Sequence, residues 1–252
     1  MQNHGCCAHK RARRTYLLAS FVRSAELIAV GPSFTCEIFM EKLNDMERGL
    51  PSADICPELK FVVESESLSL FTSILQYGIE VVTLANTPLG KFLVSCPGFS
   101  EEYLADSVQT IFLNGTAVDD LQIPLAGEHP LVALSAAMPG LAGAIFRKGG
   151  LHASLRTATK AEKAAMPLAQ GALTVTLKLF NAIARDKGEL ILGLGAVMSS
   201  AVVASFLEKR EELCSRILRV DFAAKAVRRE DLRVLLSRYS RVKLCVTAGS
   251  PK

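Results

Sequence analysis

A chain of 252 residues, 50% hydrophobic and 21% charged, has apolar material for one large core or two small ones. Its formal net charge of +4 is too small to imply nucleic-acid binding by itself. The seven cysteines are odd in number, widely spaced and without a C-x-x-C pair, which excludes a secreted disulfide framework and a structural zinc site as readings of the pattern.

The mean hydropathy of +0.28 raises the question of a membrane span. Leu131–Phe146 is the best candidate, but it falls short of about 20 residues and Pro139, Gly140 and Gly143 interrupt it. Leu190–Leu207 is broken by Gly193, Gly195, Ser199 and Ser200, which read as a loop and a helix cap. No span is expected, and reduced thiols fit a cytoplasmic protein. The first 23 residues lack acidic side chains and carry Lys10, Arg11, Arg13, Arg14 and Arg23. That composition suits a mitochondrial presequence; the preferred reading is a start assigned too far upstream, with Met40 or Met46 as the true beginning. Cys6 and Cys7 beside His4 and His9 are too few and too terminal to make a convincing metal site.

Periodicity becomes informative after Pro57. Leu59–Glu64 reads as a strand; Leu68, Phe71, Ile74 and Leu75 lie at helical spacing and Gly78 closes that helix. Ile79–Leu84 is a second strand, Asn86–Gly90 a turn and Lys91–Ser95 a third strand. Ser100, followed by Glu101 and Glu102, caps a short helix. Gln109–Leu113 is a strand entering an Asn114-Gly115 hairpin turn, since both residues tolerate positive φ. Leu131–Leu134 is the last strand of this run. Ser135–Gly150 is rich in glycine and ends in basic residues; 151–170 reads as a linker. Leu173–Phe180 opens a second β signal, Asn181–Lys187 is a short helix, and Glu189–Met198 a glycine-interrupted loop. From Ser199 or Ser200 a helix is expected to about Arg219, then a helix at Arg229–Tyr239 and a strand at Val242–Val246. No internal repeat stands out.

Ile111–Gly143, with its strand, Asn-Gly hairpin, polar connection and apolar strand running into Met138-Pro139-Gly140-Leu141-Ala142-Gly143, resembles the C-terminal half of the β-grasp sulfur carriers. These include the small subunit of molybdopterin synthase and its thiamine-pathway relatives, and the likeness extends over about Leu59–Gly143. It implies a β-grasp fold and a tail that meets a partner protein. The carriers end at a Gly-Gly carboxylate, whereas here the chain continues, so their chemistry does not transfer as it stands. The expected architecture is α+β: an N-terminal extension over 1–57, a β-grasp-like domain over 58–150, the linker 151–170, and a smaller mixed α+β unit over 171–252.

Candidate binding residues are Asn114, Gly115, Met138, Pro139, Gly140, Gly143, Arg147 and Lys148. The glycines let backbone N–H groups approach a ligand, and Arg147 and Lys148 add charge for an anion or an acidic loop. The same glycines equally fit a tight turn between strand and helix. Gly193-x-Gly195 lacks the third glycine or lysine of a phosphate fingerprint. Asp119 and Asp120 are adjacent and would diverge on a strand. His129 and His152 have no nucleophile context. Arg228, Arg229, Arg233, Arg238 and Arg241 make a basic C-terminal stretch that Glu230 and Asp231 dilute. No cofactor, metal or catalytic residue is read. The leading expectation is a non-catalytic interaction module with a protein partner; the alternatives are a subunit or precursor in sulfur-carrier chemistry and a basic adaptor that binds nucleic acid.

Overall fold

The computed structural model describes residues 56–156 and 171–249. The expected extension up to residue 55 lies outside the described residues, as do Cys6, Cys7, the alternative starts and 157–170.

Strict alternation builds the first strand: β1 (Glu58–Glu64) buries Leu59, Phe61 and Val63 on one face. A helical stretch follows, made of a 3-10 turn at Ser65–Ser67, the α-helix α1 (Leu68–Phe71) and a 3-10 run at Thr72–Tyr77. Then come β2 (Ile79–Leu84), α2 (Leu89–Ser95), α3 (Glu101–Asp106), β3 (Thr110–Leu113), β4 (Thr116–Ala117) and β5 (Leu131–Ser135). A helix α4 (Gly140–Phe146) and a 3-10 turn at Ala153–Leu155 lead out of this half. The second half holds β6 (Ala172–Phe180), α5 (Asn181–Leu194), β7 (Ala196–Ser199), α6 (Ser200–Glu208), α7 (Glu211–Ser215), β8 (Ile217–Phe222) and β9 (Lys225–Ala226). It closes with a 3-10 turn at Arg229–Asp231, α8 (Leu232–Leu236) and β10 (Arg241–Gly249). The fold is α+β, with two mixed sheets.

The element order of the first half recurs in the second. Each crossover helix buries an Ile-Leu pair and stops three residues later at glycine: Ile74-Leu75 with Gly78, Ile191-Leu192 with Gly195. The two glycines sit at φ 108 and 95, a conformation costly for any residue with a Cβ. Each third strand turns through two residues at positive φ, Asn114-Gly115 and Ala223-Ala224. Val118 N–H donates to Ile111 O at 2.9 Å, and Val227 N–H to Val220 O at 3.0 Å. Counted back from these turns, Leu104 matches Leu213, Val108 matches Ile217 and Ile111 matches Val220, all buried.

The halves exchange their first strands. One sheet runs β7-β10-β1-β8-β9, the other β2-β6-β5-β3-β4. In the first, β1 lies parallel to β10, Glu58 opposite Lys243, and antiparallel to β8. In the second, β6 lies parallel to β5, Thr176 opposite Leu131, while β3 pairs antiparallel with both β5 and β4. The strand expected to begin the 58–150 domain therefore belongs to the sheet of 196–249, and β6 completes the sheet of 79–135. Residues 56–156 and 173–249 fall in one contact unit. The expected partition at 151–170 does not separate the sheets, because the apolar face of each exchanged strand is buried in the other half's sheet.

Three shorter expectations are corrected. Lys91–Ser95 is helical: Leu89, Phe92, Leu93 and Cys96 recur at i, i+3, i+4 and i+7 and are all buried. Glu189–Met198 continues α5 to Leu194 and then forms β7. The long helix expected to Arg219 breaks after Glu208, and its end is β8, where Val220 and Phe222 alternate with Arg219 and Asp221.

The Ala223-Ala224 turn holds two Cβ-bearing residues at φ 48 and 62. Such hairpins favour Asn-Gly, as the matching turn has. The double substitution Ala223→Asn, Ala224→Gly is expected to stabilise the protein by about 1 kcal/mol, seen as a higher urea midpoint at unchanged slope; an unchanged midpoint would show a turn without strain.

Candidate functional site

Of the residues singled out from sequence, Asn114, Gly143, Arg147 and Lys148 are engaged within the fold, while Gly115, Pro139 and Gly140 are exposed. Asn114 accepts from Leu131 N–H through Oδ1 and donates its own N–H to Leu131 O, both at 2.8 Å, tying the hairpin to β5. Gly115, at φ 82, faces open space. Pro139 precedes α4 and Gly140 opens it at φ 73. Gly143 is buried against the Met138 carbonyl so closely that no side chain fits there. Arg147 Nε–H donates to Gln109 Oε1 at 3.0 Å. Lys148 Nζ donates to the carbonyls of Leu104 at 2.7 Å and Ala105 at 3.4 Å, at the C-terminal end of α3 where a cation meets the negative end of the dipole. Arg156 adds a bond to Ile145 O at 2.9 Å and an ion pair to Asp119 at 2.8 Å. The segment after β5 is thus folded back and pinned, so its two cations are committed within the chain.

The basic C-terminal stretch is similarly engaged. Arg219 pairs with Asp221, Arg233 with Glu208 and Arg241 with Glu80, while Arg229 donates to Cys214 O at 2.6 Å. It spans a 3-10 turn, a short helix and β10 rather than one basic helix.

The concave surface sequence reasoning missed lies elsewhere. An open groove of about 1010 Å3 is lined by the outer face of the first crossover helix, by the start of α5 and by the 208–216 segment. Ser69, Ser73 and Gln76 line it from the first; Asn181 and Arg185 from the second; Lys209, Glu211 and Glu212 from the third. The first piece is more than a hundred residues from the other two, and the packing of α5 on 72–77 brings it against the second. Gly188 makes that approach possible, since a Cβ there would come within 2.5 Å of the Thr72 Cβ.

Asn181 stands at φ 52, a left-handed conformation that asparagine tolerates, and its Nδ2 donates to the buried Ser135 Oγ at 3.0 Å. Arg216 leans to Glu64 at 3.5 Å, and the Arg210 guanidinium lies over the Phe206 ring, 4.2 Å from its centroid. The side chains of Arg185, Lys209, Glu211 and Glu212, by contrast, make no ion pair or hydrogen bond among the described residues. The groove presents unpaired charges of both signs together with hydroxyl and amide groups.

No catalytic grouping accompanies it among the described residues. Burial pushes the Cys96 thiol up to about 12, and burial likewise raises Cys214 and Cys245, the opposite of an activated thiolate. No disulfide joins the four described cysteines. Among the described residues no three His, Cys, Asp or Glu side chains are placed to hold a metal ion, and no helix is long and apolar enough to cross a membrane. His129 and His152 are exposed on loops.

No protein-family model matches the chain, and neither a curated protein nor a solved structure matches it.

Proposed function

We propose that this chain is a non-catalytic interaction module that holds a polypeptide partner in the groove between its crossover helices and residues 208–216. The observation that carries this reading is the pair of cations, Arg185 and Lys209, that face the groove without a partner of their own beside the unpaired Glu211 and Glu212. Small-molecule sites are enclosed and mainly apolar. An open surface carrying both signs of charge is suited to a polypeptide, whose specificity and rate of encounter come from complementary charges. The buried thiols of Cys96 and Cys245 suit a reducing compartment such as the cytoplasm.

The β-grasp likeness enters the proposal as architecture. The Asn-Gly hairpin stands at the start of β5, the glycine-containing segment leaves its end, and β6 is the strand beside β5. In the carriers the region after the last strand is the reactive tail. Here Arg147, Lys148 and Arg156 hold it down, which favours binding over carrier chemistry.

The test is affinity capture with the full chain against the variant R185E/K209E, with circular dichroism to confirm the fold. Exposed charges contribute little to stability, so the variant should fold normally. Partners retained by the wild type should fall at least about tenfold on the variant. Equal capture by both proteins would remove the groove from the binding surface.

A further inference from the structure

The repeat shows what the groove lacks. In the first half, α3 leads into its hairpin strand as α7 does in the second, and counting back from the two matched turns sets Tyr103 against Glu212. Aligned on Gly78 and Gly195, Asp186 and Lys187 of α5 match Ser69 and Leu70 of the first crossover helix. The two surroundings are therefore counterparts, one filled and one open.

In the filled one, the Tyr103 ring lies against α5. Its hydroxyl donates to Asp186 Oδ2 at 2.9 Å, Lys187 Nζ sits 3.6 Å from its centroid, and Phe99 meets it edge-on with centroids 5.8 Å apart. Burial first, and the bond to the Asp186 carboxylate second, raise the phenol above its ordinary range, so the ring stays neutral there. In the open counterpart no ring is present: Glu212 is exposed, Ser69 is exposed, and Leu70 is 50% exposed on the groove wall.

We infer that the groove takes a partner segment presenting a tyrosine flanked by acidic residues, the ring covering Leu70 where this chain supplies Glu212 instead of an aromatic. The inference rests on the groove being the binding surface and adds the chemistry of what enters it. Leu70 is a half-exposed large apolar side chain among polar groups, an anchor point for an aromatic ring. Ser69, Ser73 and Gln76 surround it with groups able to bond a phenol hydroxyl. Arg185 and Lys209 complement carboxylates on either side of the ring. This chain's own Gly98–Ser107 segment, with Tyr103 after Glu101 and Glu102 and before Asp106, has that composition and occupies the counterpart position.

A fluorescein-labelled synthetic peptide copying Gly98–Ser107 serves as the probe, titrated with the full-length chain and followed by anisotropy. The parent peptide should saturate below about 1 mM. A peptide with Ala in place of Tyr103 should bind at least about tenfold more weakly, and so should the parent peptide to an E212Y protein, whose new ring occupies the wall. The inference is overturned if the parent peptide does not bind, or if the two peptides bind within about twofold of each other. If R185E/K209E loses captured partners while the tyrosine proves irrelevant, the groove stands as a binding surface and only its aromatic specificity falls. Should capture also be unaffected, the groove reading itself fails.

Discussion

Cutting the chain between residues 156 and 171 is expected to give two halves that do not fold alone but regain native structure when mixed. Each half lacks a central strand of its own sheet: without β1, strands β8 and β10 lose the neighbour between them, and without β6, β2 and β5 do. The missing strands also carry core side chains, Leu59, Phe61 and Val63 on β1 and Val175, Leu177 and Leu179 on β6, all buried. At about 1.5–3 kcal/mol for each such side chain, three per strand approach the whole stability of an ordinary domain. Circular dichroism and amide spectra of 56–156, of 171–252 and of their equimolar mixture give the check. Cooperative unfolding of the isolated first half would rule out the exchanged arrangement.

Two glycines on one helix should respond in opposite directions. At Gly188 a Cβ would lie 2.5 Å from Thr72 Cβ, 2.6 Å from Thr72 Cγ2 and 3.2 Å from Leu75 Cδ1, so Gly188→Val must push the crossover helices apart. A loss of about 3 kcal/mol is expected. Gly193, five residues on, has nothing within 4 Å of the position a Cβ would take, and Gly193→Ala should gain up to about 1 kcal/mol from helix propensity. Thermal and urea midpoints of the two variants decide the matter; a neutral Gly188→Val would mean that the helices do not depend on close approach there. Because Gly188 sets the approach that forms one side of the groove, the same variant should also weaken partner capture.

The legibility of this fold in its sequence varies with the range of the interaction. β1, β2, β5 and β6 are evident because alternation or β-branched runs dominate them, and Ser100 caps its helix as read, accepting from Tyr103 N–H at 3.2 Å. Lys91–Ser95 misleads because its three-residue apolar run Phe92–Val94 satisfies either period, and only Leu89 and Cys96 outside it reveal the helix. β8 misleads because Leu213 and Ile217 extend the apparent helical face of α6 across a break at Lys209 and Arg210. The repeat is nearly silent: Ala-Ala stands where the first half has Asn-Gly, and the shared Ile-Leu-x-x-Gly is too short to notice before the helices are known. The groove is silent altogether, since Ser69, Arg185 and Glu212 have no local pattern in common. Of what does signal locally in 138–148, Gly143 is crowded by the Met138 carbonyl and Arg147 and Lys148 bond within the chain, while Gly140 stays open.

The exchange of first strands has a consequence for how the chain is made. β1 pairs with β10, Glu58 opposite Lys243, and with β8, so its two hydrogen-bonding neighbours emerge from the ribosome only after residues 65–216 have been made. At roughly 5–20 residues per second, β1 waits on the order of ten seconds or more with Leu59, Phe61 and Val63 unburied. β5 waits less, because β6 follows it closely. Nascent chains arrested before β8 would therefore display one orphaned apolar strand and one nearly complete sheet, and holding factors that recognise extended apolar segments should crosslink to residues 58–64 until translation passes Gly249.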